Sequence, residues 1–460
     1  MINILFIAYE FPPLNRGGVH RSLAFVKYLP QYGINPVVIT LDQASYRDVF
    51  NEYGYDESLG KEVRDKATVI GIQSEKPRPQ TRIGEFTSIY FSLHGNEVRH
   101  WKRRYYETVP GIIKKYRPLA VFATLPPFSV LPLALKTARK YRLPLILDFR
   151  DAWSQWRTVP FGTRLHYQVN LLLEKKYLSS ASAVVATSLQ TLEDFKRLHP
   201  AVDRSLFHYI PNGYDGQLET WSPVDTHKER IRIGYVGSFY YSPQARDQML
   251  APWWKKRGHR ALQYIPQKQD WLYRSPFFFF KTLEYLRDHH PEVFERIRVQ
   301  FVGKVPDWLT GMIQASGLSG RVELLGEMTH RDALAFQRQC DLLLITSAKR
   351  IGGKDYSIAG KTFEYIQAQK PVLAFVSDGA QKDLLEKTGI ALNCNPDNVP
   401  ESAAKMAGLL RGEILLRPDT RFIESLSRQR LTAELAEIVI KCTRAGVKAN
   451  ETTHAAGGDA

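Results

Sequence analysis

The chain has 460 residues, of which 44% are apolar and 24% charged. That length suggests two or three domains, and that balance excludes disorder as the main state. Lysine and arginine number 63 against 47 acidic residues, a net charge of +16, which favours an anionic partner (nucleotide, phosphate, nucleic acid or membrane surface) without choosing among them.

The opening run Asn3–Ala8 has no basic flank and soon meets Glu10 and Pro12-Pro13, so it reads as a buried strand and not as a signal peptide. A Pro/Gly loop follows, then a helical pattern from about His20 to Tyr32, with Leu23, Phe25, Val26 and Leu29 at helical spacing, stopped by Gly33. Pro36–Thr40 is the next strand, and further strands are predicted at 119–124, 144–148, 183–187 and 206–210. Helices are predicted at 129–141, 164–179 and 188–198. Residues 118–135 carry no charge, but Pro118, Pro126, Pro127 and Pro132 interrupt them, so strand, loop and helix fit better than a membrane span. Short apolar runs separated by helices indicate a parallel sheet covered on both faces.

Residues 1–212 therefore form a first domain, and the turn at Pro211-Asn212-Gly213 opens a polar linker over 213–230. The pattern restarts at Ile231–Val236. Strands are predicted at 298–302, 322–325, 341–346 and 371–375, and helices at 277–289, 305–316, 330–339, 360–369, 378–388 and 398–410, giving a second doubly wound domain over 231–418. A long helix over 419–443, able to pack back on the first domain, and a disordered tail over 444–460 complete the chain. Residues 243–276 interrupt the second domain. They hold Trp253, Trp254, Tyr264, Trp271 and Tyr273 among Arg246, Lys255, Lys256, Arg257, Arg260, Lys268 and Arg274, a composition that argues for an ordered, functional insertion.

Three clusters can carry chemistry. Gly17-Gly18, between the first strand and first helix, either makes a plain turn or lets a phosphate or sugar approach the backbone. Gly360-Lys361-Thr362-Phe363-Glu364 opens a helix. Lys361 in a first turn opposes the usual charge preference there, which makes sense if a diphosphate is bound, and Glu364 one turn on suits ribose hydroxyls; the other reading is a solvated Lys/Glu pair. Asp148-Phe149-Arg150-Asp151-Ala152-Trp153 ends a strand, where open α/β sheets bind ligands; it either handles hydroxyls or ties the loop down by an Arg–Asp pair. Cys340, Cys394 and Cys442 are odd in number and far apart, against a disulfide framework or zinc site and in favour of a reducing compartment. Walker A, H-E-x-x-H, G-x-S-x-G and Asp-x-Asp patterns are absent.

Two Rossmann-like halves, the Gly-Gly loop, Pro211–Asp215 (PNGYD), Ile233–Ser238 (IGYVGS) and Gly360–Val372 (GKTFEYIQAQKPV) together resemble the GT-B glycosyltransferases, most nearly the retaining family 4 enzymes (glycosyl transferases group 1). The resemblance implies two doubly wound parallel-sheet domains facing a central cleft, and a nucleoside-diphosphate sugar held by the second with an acceptor held by the first. It further implies no cofactor, no metal, and transfer with retention. Carried over by motif, Gly18, Gly360, Lys361 and Glu364 are donor contacts, and Gly17, Gly237, Ser238, Lys354 and Thr362 join them as donor candidates. Lys361 and Asp151 are the candidate catalytic groups, and the strand-end residues Asp148, Arg150 and Trp153 are the candidates to face the acceptor. The first Glu of the family's E-x7-E motif falls at Tyr356, with Asp355 beside it as a replacement. The family's Arg and Lys after Gly237-Ser238 give way to Tyr240-Tyr241, with Lys349, Arg350, Lys354 or Lys361 to compensate.

The expected role is synthesis of a cell-surface polysaccharide or glycolipid by a cytoplasmic protein. The basic-aromatic insertion and Arg99–Arg117, with seven basic residues beside Trp101, Tyr105, Tyr106 and Tyr116, suit an anionic membrane surface or lipid-linked acceptor as well as they suit a solvated face. The rivals are a same-fold nucleotide-sugar epimerase or phosphorylase and a non-catalytic nucleotide-sugar-binding protein. A nucleic-acid binder ranks below these, because the positive charge is spread over both halves and no such motif accompanies it.

Overall fold

The computed structural model describes residues 1–50, 54–63, 65–76, 81–155, 160–256 and 258–456. Two compact units appear: residues 1–212, 262–266 and 428–460 form the first, and 213–261 with 267–427 the second.

In the first unit the strands are β1 (Ile2–Ile7), β2 (Ile34–Leu41), β3 (Thr68–Ile72), β4 (Val121–Leu125), β5 (Leu145–Phe149), β6 (Ala183–Ala186) and β7 (Phe207–Tyr209). They make one parallel sheet in the order β3-β2-β1-β4-β5-β6-β7. The order reverses between β1 and β4, which opens a crevice at the carboxyl ends of those strands. Apolar residues on both faces explain the near-continuous hydrophobic runs. Leu5, Ile7, Leu147 and Val184 face one core, and Ile4, Phe6, Ile146 and Val185 the other.

The second unit repeats the plan. Its strands are β8 (Ile231–Val236), β9 (Gln269–Asp270), β10 (Ile297–Val302), β11 (Val322–Gly326), β12 (Leu342–Thr346), β13 (Lys349–Arg350), β14 (Val372–Phe375) and β15 (Ala391–Cys394). Six form a parallel sheet in the order β11-β10-β8-β12-β14-β15, and β9 pairs with β13 in a small antiparallel ribbon. The reversal here lies between β8 and β12. Helix starts follow local capping chemistry: the side chains of Thr163, Ser188, Thr329 and Asn398 accept from backbone N–H groups of their first turns.

Several expectations change. The edge strand β3, the four-residue β15 and the helices Arg82–Phe91 and Lys102–Tyr116 had not been expected. In Arg99–Arg117, Trp101 and Tyr105 are fully buried, because Trp101, Tyr105, Val109 and Ile112 form the inner stripe of the helix Lys102–Tyr116. These two rings are therefore core and unavailable to a membrane or sugar. The polar segment 213–230 belongs to the second unit: Glu219 and Ser222 donate backbone N–H groups to Gln367 and Gln369 carbonyls at 3.0 and 3.2 Å. The expected helix over 419–443 is two helices, Thr420–Ser425 and Arg428–Ala456, and the chain passes from the second unit to the first at 427/428. The second helix continues to Ala456 through the region expected to be disordered; residues 457–460 lie outside the described residues. Within the insertion, Arg246 and Asp270 form a two-pronged ion pair at 2.6 and 2.8 Å. Tyr264 pairs through its backbone with Phe161 at 2.9 Å in the first unit, Trp253 and Trp254 are 69% and 68% exposed, and Arg257 lies outside the described residues.

Leu431, Leu435 and Val439 on the last helix are buried in the same core as Ile4 and Phe6, at the side of the helix Val19–Tyr28. Leu435→Ala is expected to destabilise the first unit by about 2–5 kcal/mol while leaving the second unit's transition in place, as read from urea unfolding followed by fragment-resolved hydrogen exchange.

Candidate functional site

Both units present a glycine between their first strand and the helix that follows it, directly after β8 in the second unit and at the helix start in the first. In the second unit Gly237 follows β8 with φ +104, a backbone conformation that excludes most other residues. A Cβ on Gly237 would lie 3.1 Å from Lys361 Nζ. Lys361 starts the helix Lys361–Gln367 between β12 and β14, and its ammonium sits over the Tyr235 ring at 3.7 Å from the centroid. Tyr235 stacks on Phe239 at 3.8 Å and donates its hydroxyl to the Ser238 carbonyl at 3.1 Å. Burial pulls the Lys361 pKa down to about 7, and the Glu364 carboxylate opposes that shift. Glu364, one turn on, accepts from Gln337 Nε2 at 2.9 Å. Gly237, Ser238, Lys361 and Glu364 thus stand together at the switch point of the second sheet, with Gly360 exposed at the helix start.

Other expected donor contacts change. Thr362 is fully buried; its hydroxyl donates to Gln381 Oε1 at 3.0 Å and its backbone N–H to the Ala359 carbonyl at 3.0 Å. It holds the loop and does not present a group to a ligand. Asp355, the candidate replacement for the missing glutamate, is buried and accepts from Gln269 Nε2 at 2.9 Å and from the Ser357 hydroxyl, so its carboxylate is engaged in closing the β9 ribbon. Lys349 pairs with Asp397 at 2.5 Å, and Arg350 is directed to Gln267 and the Lys354 carbonyl. Lys354 is exposed, and its charge acts on Asp378.

In the first unit Gly17 is exposed, and a Cβ there would meet nothing within 4 Å. Gly18 is different: a Cβ there would fall 1.3 Å from Arg150 Nη1. The guanidinium occupies the space a side chain would need, donating to the Leu125 carbonyl at 3.3 Å and to the Pro126 carbonyl. Burial lowers the Arg150 pKa, and Glu10, Asp151 and Asp148 counter it. Glu10 is itself raised by burial, opposed by Arg150 and by Arg16, with which it pairs at 2.5 Å. Sequence reasoning had missed Glu10 and Arg16, as well as Tyr235 and Gln337. Tyr235 lies inside the IGYVGS motif and was the one within reach.

Asp148 does not face an acceptor. It is fully buried, accepts Arg21 Nη2 at 2.8 Å and Thr124 Oγ1 at 2.9 Å, and Arg21 also donates to the Pro211 carbonyl at 2.8 Å. Trp153 is 5% exposed and stacks on Phe128 and His94 at 5.8 and 5.4 Å. These three rings line a cavity of about 490 Å³ together with Phe161, His166 and Glu97. Burial, with Lys176 and Lys102 nearby, pushes the His94 pKa down to about 4, so its ring is neutral at pH 7. Asp151 is partly buried beside Arg150.

Residues 17–213 match the family model described as "Glycosyl transferase 4-like domain". The matched stretch is similar to that domain and carries Gly18, Arg150, Asp151 and Trp153. A 58-residue stretch is 40% identical to alpha-maltose-1-phosphate synthase of Mycobacterium tuberculosis, covering 13% of this chain and 14% of that protein's length. Three solved structures share the fold. HepE of Anabaena, in complex with UDP, aligns with TM-score 0.54 and 14% identity over 96% of this chain and all of its own. The lipopolysaccharide outer core galactosyltransferase WaaB aligns at 0.56 and 12% over 96% and 99%. Sucrose-phosphate synthase of Thermosynechococcus elongatus aligns at 0.55 and 12% over 97% and 100%. The chain as a whole therefore has the GT-B fold, two Rossmann-like parallel-sheet units. Among the described residues no helix is long and apolar enough to cross a membrane, and no three His, Cys, Asp or Glu side chains are grouped to hold a metal.

Asp148→Asn is expected to destabilise the protein by about 3–5 kcal/mol, because Arg21 is left buried without its carboxylate. Chemical denaturation checks this; a normally stable variant with an altered acceptor KM would instead return Asp148 to the site.

Proposed function

We propose that the protein is a glycosyltransferase that moves a sugar from a nucleoside-diphosphate sugar to an acceptor hydroxyl, with retention and without a metal. The observation that carries this reading is the desolvated Lys361 ammonium beside Gly237 and Ser238 at the carboxyl end of β8. The difficult step in glycosyl transfer is departure of the diphosphate. A preorganised cation where that charge develops lowers the barrier without reorganisation. Gly237 and Gly360 let the diphosphate approach the backbone, and Glu364 accepts from the ribose hydroxyls. HepE binds UDP in its structure, which makes UDP the first nucleotide to test here.

In the retaining course the acceptor oxygen attacks from the face the diphosphate leaves, and a phosphate oxygen takes the acceptor proton. The acceptor is a glycan or lipid-linked sugar whose rings fit the aromatic cavity of Trp153, Phe128 and His94. Arg150, clamped at Gly18, holds Asp151 where it orients the acceptor hydroxyl. The product belongs to a cell-surface polysaccharide or glycolipid. The protein works in the cytoplasm, and the exposed Trp253-Trp254 pair beside Lys255 and Lys256 rests on the anionic inner face of the membrane.

The pH behaviour follows from Lys361. Its pKa is about 7 in the fold against an ordinary 10.5. Below about pH 7 both states are protonated and the buried charge costs stability; between the two values only the unfolded chain keeps the proton, so stability rises with pH there. A bound diphosphate favours the ammonium. UDP affinity is therefore expected to weaken from about pH 6 to about pH 9 in the wild type and to be weak and flat in Lys361→Met, as read by calorimetry. At fixed pH, Lys361→Ala should lower kcat by about 10²–10³, and Glu364→Ala should mainly raise the donor KM. A thermal-shift screen of UDP-, GDP-, ADP- and TDP-sugars with radiolabelled transfer assays tests the reading: no donor shift, or wild-type kinetics in both variants, removes it.

For the membrane contact, flotation with phosphatidylglycerol vesicles is expected at low salt and to weaken at high salt. Trp253→Ser/Trp254→Ser should reduce it at both. No binding at either salt removes this part.

A further inference from the structure

The amino ends of the strands in the second unit, remote along β8 and β10 from Gly237, carry a row of like charges. Arg232 on β8 stands directly beside Arg298 on β10 in parallel register. Arg321 precedes Val322, which pairs with Val299 on β10, and so continues the row at the start of β11. Like charges placed directly opposite on neighbouring strands destabilise a sheet. Lys228 and Arg230 enter from the preceding segment, and the five cations line an open groove of about 640 Å³.

Compensation is incomplete. Lys228 pairs with Asp341 at 2.5 Å, and that carboxylate also accepts the Arg232 backbone N–H at 2.8 Å. Arg321 is directed to Glu295. Glu323 accepts from Gln300. Among the described residues no carboxylate lies within ion-pair distance of Arg230, Arg232 or Arg298. The Arg298 guanidinium donates to the Glu295 and Ile297 carbonyls, each at 2.8 Å, and burial together with Arg321 and Arg230 holds its pKa down against the opposing charge of Glu295. Arg321 and Arg230 act against the Arg298 charge, and Arg232 stands beside it in register; an anion that bridges these guanidinium groups relieves that repulsion, and they suit phosphate because they bind it in a fork.

We propose that this groove is a second ligand site, separate from the diphosphate site at Lys361, for a compact, multiply charged phosphate compound. The shape and lining narrow the class. The groove is concave where a bilayer surface is flat, and it exposes no aromatic or large aliphatic side chain for insertion between lipids. The same lack of rings gives a nucleobase nothing to stack on. What it offers is concentrated positive charge in a pocket of small-molecule size, the recognition chemistry of a sugar phosphate or oligophosphate.

The test is calorimetry of the full-length protein with tripolyphosphate at low ionic strength. Binding is expected in the wild type and still in Lys361→Ala, weakened by about tenfold or more in Arg232→Gln/Arg298→Gln, and weakened less in Arg230→Gln. Removing repulsion should leave the ligand-free double variant melting at the same temperature or higher. Arg230 is exposed, so its substitution gives a decisive reading even if the double variant fails to fold. Unchanged affinity in these arginine variants overturns the proposal, as does loss of all tripolyphosphate binding in Lys361→Ala. An arginine-dependent binding to phosphatidylglycerol vesicles with no tripolyphosphate binding assigns the groove to a lipid headgroup and equally overturns it.

Discussion

A cation held in the space of a missing side chain is the interaction on which both candidate sites depend. At Gly18 the guanidinium of Arg150 lies where a Cβ would be, and at Gly237 the ammonium of Lys361 comes within 3.1 Å of that position. Each glycine follows the first strand of its sheet, and each cation arrives from a later element: the end of β5 in one unit, a helix start after β12 in the other. The doubly wound order makes this juxtaposition, because the strand order reverses beside the first strand and leaves its carboxyl end uncovered. The glycine and the cation are one device used twice, and neither residue can be understood without the other.

The two instances differ in electrostatics, and the difference follows from their neighbours. Arg150 has Glu10, Asp151 and Asp148 around it, so its charge is held in place and its role is to position. Lys361 has an aromatic face below it and one carboxylate nearby that is already bonded to Gln337. A lysine so placed sits near the balance between its two protonation states, and an incoming anion tips it. A guanidinium, which does not titrate in proteins, could not respond in this way.

The parallel-sheet plan was legible because buried strands in such sheets are short apolar runs, and the runs at 3–8, 119–124, 144–148 and 231–236 all lie in central strands. Of the four edge strands, β7 and β11 were expected and β3 and β15 were not; the latter two are only alternately buried, without a continuous apolar run. The segment Arg99–Arg117 carried the stripe of Trp101, Tyr105, Val109 and Ile112 in plain sight, but its seven basic residues and Pro110 masked it. At the site, Lys361, Glu364, Gly18 and Gly237 could be proposed from spacing. Asp148 and Asp151 could not be told apart, because the choice is made by Arg21, a charged residue buried within an otherwise apolar helix face 127 positions away. Thr362 and Asp355 were misread for the same reason: Gln381 and Gln269 take up their polar groups, and no local pattern marks those partners.

Part of the positive charge in the second unit is likewise placed by strand polarity. β8 and β10 end in Gly237 and Gly303, and a Cβ on Gly303 would come within 2.4 Å of the Gly237 carbonyl oxygen, so at that end the two backbones approach closely and Lys361 stands beside them. At the opposite ends the same two strands bear Arg232 and Arg298 side by side. A sheet tolerates an unbalanced charge at a strand end, where solvent or a ligand can reach it, far better than in its interior. The pairing of β8 with β10 over Ile231–Val236 ties the two ends together rigidly.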